Sequence, residues 1–209
     1  MNLKYGQFDI LERELEKLSP LHLVAFAASC CERLYPHYDI FLRKIRDIGW
    51  NEANFMRAAL DELWQFLAGK KIDMVKFNQL RSDCRGSYPS DYENEETPEA
   101  QRAADAILNT LELCLETTSQ QAISVAAEIH ETLFEYIDYL MCESDEDWEN
   151  KSHKQMKEII ANHPFTIREM GKQSSDLQRL KETPTLTREF LHWLRTSSEN
   201  GGISLLDLK

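Results

Sequence analysis

The sequence predicts an all-α fold, a single-domain bundle of about nine or ten helices, and three observations carry that prediction. Apolar residues recur at steps of three and four along most of the chain. The punctuation is that of helix ends: Ser19-Pro20, Thr97-Pro98 and Thr183-Pro184 each place a capping residue before proline, and Gly49, Gly69, Gly86, Gly201 and Gly202 stand where helices would stop. No Asn-Gly or Asp-Gly turn occurs and no run of period-two alternation is convincing.

Taken in order, Phe8, Leu11, Leu15 and Leu18 define a first helix near 7–18. The second, near 20–35, is apolar around most of its circumference through Leu21, Leu23, Val24, Ala25, Phe26, Ala27, Ala28, Cys30, Cys31 and Leu34, which places it at the centre of the bundle. Pro36 is expected to bend or end it, with a further helix at 37–47. Met56, Leu60, Leu63, Trp64 and Leu67 stripe a helix at 52–68, followed by one at 73–84. A surface loop at 85–97 comes next, and a dozen residues is long for a connection in a compact domain. Ile107, Leu108, Leu111, Cys114 and Leu115 stripe 98–117, and Ile123, Ala126, His130, Leu133, Ile137 and Leu140 stripe 120–142. The short turn Thr117-Thr118-Ser119 makes these two a pair. Helices near 145–162, 164–181 and 185–197 complete the bundle, Gly171 lying inside one of them. Ile203, Leu205, Leu206 and Leu208 are expected to dock the tail onto the body.

Charge is uneven. The chain of 209 residues carries net −12, but residues 86–150 hold seventeen acidic side chains and one basic, Arg102. Such a body repels phosphate backbones, so nucleic acid is not expected as a ligand, and a basic protein is the partner that charge would favour. No apolar run approaches the ~20 residues of a membrane span, and the start is not that of a signal peptide, so a cytoplasmic location is expected. Five cysteines, Cys30, Cys31, Cys84, Cys114 and Cys142, show neither zinc spacing nor a disulfide framework and read as small core residues.

Two groups of residues could carry function. At about 100° per residue, Glu128, Glu131, Glu135 and Asp138 share the side of their helix opposite the apolar stripe, and Asp105, Glu112 and Glu116 do the same on the preceding one. Together they form either a solvated surface or a docking face for the basic partner. The second group is polar residues on apolar faces. His22, Ser29 and Arg33 fall within about 40° of one another on the central helix, with Glu32 beside Arg33. A charge there must be paired or reach water, so the seam is either a set of structural ion pairs or one wall of a ligand pocket. His130, in mid-stripe, needs a hydrogen-bond partner in the core or lines a pocket.

The catalytic signals are negative. Glu189-Phe190-Leu191-His192 is the one Glu-x-x-His, where a di-iron bundle needs two, and no calcium loop, His-Glu-x-x-His, phosphate-binding glycine loop or Gly-x-Ser-x-Gly elbow occurs. His22 and Ser29 stand two helical turns apart, too far to act as base and nucleophile. No cofactor or metal is expected, and the leading expectation is an interaction protein, with ligand binding or an enzyme of unrecognised type as alternatives.

The stretch Glu32-Arg33-Leu34-Tyr35-Pro36-His37-Tyr38-Asp39-Ile40-Phe41 resembles the Glu-Arg-[Leu/Met]-Tyr-Pro-Asn-Tyr-x-x-Phe segment of the YjaG-like family, a group of bacterial helical proteins of unknown function. Leu60-Asp61-Glu62-Leu63-Trp64 is similar to its Leu-Asp-x-[Leu/Ile]-Trp, and Glu199-Asn200-Gly201-Gly202-Ile203 to its small-residue tail. His37 stands where the family has asparagine. The resemblance implies an all-helical bacterial cytoplasmic domain and implies no activity.

Overall fold

A computed structural model describes residues 2–49, 53–89, 97–197 and 205–206. Among them lie nine α-helices: α1 (Phe8–Leu15), α2 (Pro20–Asp47), α3 (Phe55–Leu67), α4 (Met74–Gly86), α5 (Thr97–Leu113), α6 (Ser119–Ser144), α7 (His153–Asn162), α8 (Pro164–Glu182) and α9 (Arg188–Thr196). A single 3₁₀ turn, Trp148–Asn150, precedes α7, and the described residues contain no strand. No described helix is long and apolar enough to cross a membrane.

Helix α2 is the axis of the fold. Val24 through Cys31 are each at most 1% exposed, so the helix is enclosed on every side, as its all-round apolar surface requires. It packs against α3, α5, α6, α8 and α9. One continuous apolar cluster runs from Leu3 to Leu206 and takes side chains from every helix.

Pro36 does not end α2. The helix continues to Asp47, twelve residues longer at its C-terminal end than the sequence predicts. An interior proline removes one ladder bond and costs ~3 kcal/mol. Beyond it, however, Tyr38, Phe41, Leu42 and Ile45 are all buried, and at ~1.5–3 kcal/mol each that burial outweighs the proline. The chain also caps the disturbed turn from outside: the backbone N–H of Leu205 donates to the carbonyl of Arg33, three residues before the proline, at 3.3 Å. Arg168 in turn donates to the Leu205 carbonyl. Leu205 and Leu206 are buried, so the tail docks where its apolar residues predict, while Ile203 and Leu208 lie outside the described residues.

Other boundaries move for local reasons. Thr183-Pro184 does not open α9; Thr187 does, its hydroxyl accepting from the Phe190 N–H at 3.2 Å. The helix expected over 145–162 is a 3₁₀ turn and a shorter helix, because Ser152 and Gln155 form a reciprocal capping box that restarts the chain at His153. Ser19 precedes α2 but makes no backbone cap, since its hydroxyl is held by His22. Most of the expected 85–97 loop, residues 90–96, lies outside the described residues; its first part is pinned by the Tyr38 hydroxyl donating to the Ser87 carbonyl and by Tyr88 donating to Asp105.

Candidate functional site

The polar seam of α2 meets α8. Arg33 is 5% exposed, and its guanidinium is fully engaged: Nε and Nη2 donate to the two carboxylate oxygens of Glu169 at 2.8 Å each, and Nη1 donates to the Ser29 hydroxyl and carbonyl at 2.8 Å. Asp176, wholly buried, lies 3.4 Å from Nη1 and accepts from Ser29 at 2.8 Å and from Lys172. Gln173 donates to Glu169 at 3.0 Å. Two cations and two anions therefore close a neutral buried network. Glu169 and the other anions hold the Arg33 guanidinium firmly protonated despite its burial, and burial together with Arg33 pushes Lys172 down.

The remaining seam residues belong elsewhere. His22 sits two turns away and ties two helix ends together. Its Nε2 donates to the Thr183 carbonyl at 2.7 Å, which fixes the tautomer and makes Nδ1 the acceptor of the Ser19 hydroxyl at 2.6 Å. Glu32 points to the α3 side, where it takes a bidentate pair from Arg57 at 2.8 Å, the Trp64 indole N–H at 2.7 Å and Arg195 at 3.0 Å. Thus the structure brings Ser29 and Arg33 together, leaves His22 and Glu32 in separate networks, and gives all four protein partners. Apolar spacing does not point to the α8 partners, but Thr166, Glu169, Gln173 and Asp176 follow the same three-and-four spacing on the buried face.

The acidic helices are similarly occupied. Arg102, the single basic residue of the acidic block, pairs with Glu128 at 3.4 Å and Glu135 at 2.7 Å. Glu112 pairs with Arg81 and, at 2.8 Å, with Arg85. Asp105 accepts from Tyr88 and Asp138 from the Trp148 indole, both at 2.9 Å. Glu116 and Glu131 are exposed.

His130 is different. It is 5% exposed, and its Nδ1 is buried with no hydrogen-bond partner. Its ring lies between two aromatic ones, stacked on Tyr5 at 4.7 Å between centroids and 21° between planes, and tilted against Phe8 at 4.5 Å. The Tyr5 hydroxyl donates to the His130 carbonyl at 3.3 Å. Gly6, at φ +77°, turns the chain from Tyr5 into α1, a conformation that glycine adopts without strain. Burial pushes His130 down to about 4, so the ring is neutral at pH 7, with one nitrogen a donor and the other an acceptor.

The imidazole forms part of the wall of a groove of about 520 Å³. Tyr5, Gly6 and Phe8 line it from the start of the chain, His130, Glu131 and Phe134 from α6, and His153, Lys157 and Ala161 from α7. Spacing explains the lining: 130 and 134 lie one turn apart on α6, and 153, 157 and 161 form one stripe on α7. That α7 stripe is the signal the sequence reading passed over. Other buried polar atoms also lack partners, but those of Arg57, Arg81, Glu135 and Gln173 belong to side chains bonded through a second atom, and Glu99, Thr166 and Ser197 do not line this groove. Among the described residues no group of His, Cys, Asp and Glu could hold a metal ion.

Comparison with known proteins places the chain. The profile of the family described as "Protein of unknown function (DUF416)" matches residues 10–209. The chain belongs to the DUF416 family. A curated relative, the uncharacterized protein YjaG of Escherichia coli (strain K12), is 25% identical over 201 residues, spanning 91% of each chain. The crystal structure of a DUF416 family protein from Shewanella baltica OS155 superposes with a TM-score of 0.79 at 21% identity, covering 95% of this chain and 97% of that one. The resemblance read from Glu32-Arg33-Leu34-Tyr35-Pro36 and the all-α fold class are thereby shown for this DUF416 protein.

Proposed function

We propose that this DUF416 protein binds a small organic ligand in the groove between the start of α1, α6 and α7. The observation that carries the reading is that His130, whose buried Nδ1 has no hydrogen-bond partner, is one of the residues lining that groove. An unsatisfied buried polar atom costs ~1–3 kcal/mol, and a turn of the imidazole that let a ligand atom bond it would recover that cost. Aromatic walls interspersed with polar side chains, around a volume within the ~300–1,000 Å³ range of ligand sites, support the same conclusion. Binding rather than turnover is favoured, because no nucleophile–base pair adjoins His130. Docking a basic protein through the acidic helices has less support, since five of the seven carboxylates are engaged by side chains of this chain.

A fragment titration followed by NMR of the histidine imidazoles tests this reading. Small neutral aromatic fragments should shift His130 resonances saturably together with those of Tyr5 and Phe134. H130F, which keeps an aromatic ring between Tyr5 and Phe8 but lacks Nδ1, should weaken fragments carrying a hydrogen-bonding group by about fivefold or more. Shifts mapping away from these residues, or none, would overturn the proposal.

A further inference from the structure

The groove carries charge as well as aromatic surface, and its charges are unpaired. Glu131 on α6 and Lys157 on α7 are exposed, and among the described residues neither has an ion-pair partner. This contrasts with Arg33, Arg57, Arg81, Arg102, Lys151, Lys172 and Arg195, each of which is paired within the chain. His153, on the same stripe as Lys157, is the first residue of α7, where the helix dipole favours an anion. The same groove is lined by Tyr5, Phe8 and Phe134, an apolar surface suited to a ring, and by His130, 5% exposed, whose Nδ1 has no hydrogen-bond partner.

Resting on the ligand-binding reading above, we infer that the ligand is a small zwitterion with an apolar body, of the class of aromatic α-amino acids: Glu131 meets its ammonium, Lys157 and His153 meet its carboxylate, and Tyr5, Phe8 and Phe134 meet its ring. A simple anion would leave Glu131 facing a like charge, and a simple cation would do the same to Lys157. A zwitterion answers both.

Three probes separate the terms: L-phenylalanine, 3-phenylpropanoate, which lacks the ammonium, and 2-phenylethylamine, which lacks the carboxylate. Each is titrated into the full chain by calorimetry and by NMR of the His130 imidazole, with indole as a neutral ring. An exposed ion pair contributes ~0.2–1 kcal/mol, so removing either charge should weaken binding by up to about fivefold. E131Q should erase the disadvantage of 3-phenylpropanoate, and K157Q that of 2-phenylethylamine. Both residues are exposed and unpaired, so these variants should keep the fold. Equal affinity for the three charged probes, or a preference that survives both substitutions, overturns the inference; indole still shifting His130 would then leave the ligand-binding reading standing. If no probe shifts His130, both fall.

Discussion

Two buried polar sites of this molecule differ in one respect. Around Arg33 every polar atom of the guanidinium has a partner, and two cations balance two anions on facing helices. Around His130 the ring is as deeply buried, yet Nδ1 has no partner and a groove opens beside it. Burial with the guanidinium completely paired ties α2 to α8. Burial without such pairing, next to space, is the observation on which the proposed ligand site rests. The distinction matters because both sites look alike in the sequence, as polar residues set in apolar stripes.

The largest expected effect lies at the paired site. R33A leaves Glu169 charged and buried without a cation and takes from Asp176 one of its two, and should cost ~3–5 kcal/mol in chemical denaturation. R33K keeps a charge but not the planar fork that meets both oxygens of Glu169, and should fall between wild type and R33A. If R33A unfolds within ~1 kcal/mol of wild type, the network does not hold the helices together and the contrast with His130 collapses.

The second expectation concerns His130 and pH. Its pKa in the folded chain lies at about 4, below the ~6.5 of an unfolded histidine, so between those values the unfolded state binds the extra proton. Stability from this group is therefore complete above pH 6.5 and is lost as pH falls toward 4, by up to ~3 kcal/mol. The difference in unfolding free energy between wild type and H130F isolates this contribution from the carboxylates. A difference that does not change between pH 7 and pH 4 would mean that the ring accepts a proton in the folded state, and the unpaired nitrogen would lose its significance.

How much of this was legible beforehand follows the same division. The α2 core was readable because ten apolar residues among the fourteen from Leu21 to Leu34 cover most of the circumference and leave only a thin polar seam, and burial confirms it from Val24 to Cys31. The extent of α2 was not, because a local rule about Pro36 competes with burial of Tyr38, Phe41, Leu42 and Ile45, and burial wins only once neighbours exist to supply it. Ser29 and Arg33 could be placed on one face, but Glu169 and Asp176 are more than 130 residues away, and no spacing rule joins residues across that separation. His130 was visible as an anomaly within its stripe. The groove was not, because Tyr5, Phe134 and Lys157 come from three segments whose juxtaposition only packing creates.

A smaller effect at the paired site refines the comparison. The Ser29 hydroxyl donates to Asp176 and accepts from Arg33, both at 2.8 Å. S29A removes one member and leaves the charges paired, so it should cost ~1–2 kcal/mol, well below R33A. The double variant S29A/R33A should cost less than the sum of its parts, since Ser29 loses one partner when Arg33 goes. Additive costs, measured by denaturant unfolding, would mean that Ser29 acts outside the network.

The smallest effect has the opposite sign and separates the network from the helix that bears it. Gly171 lies in α8 between Glu169 and Asp176 but faces solvent, and a Cβ built there meets no atom within 4 Å. Nothing in the packing requires glycine at this position, and in a helix interior glycine is ~0.5–1 kcal/mol worse than alanine. G171A should therefore stabilise the protein by about that amount without altering the cost of R33A, because it acts on the backbone entropy of the unfolded chain and not on any contact. A destabilising G171A would mean that α8 depends on local freedom at this turn, and the Arg33 network would then have to be regarded as holding a helix under strain rather than joining two that form readily.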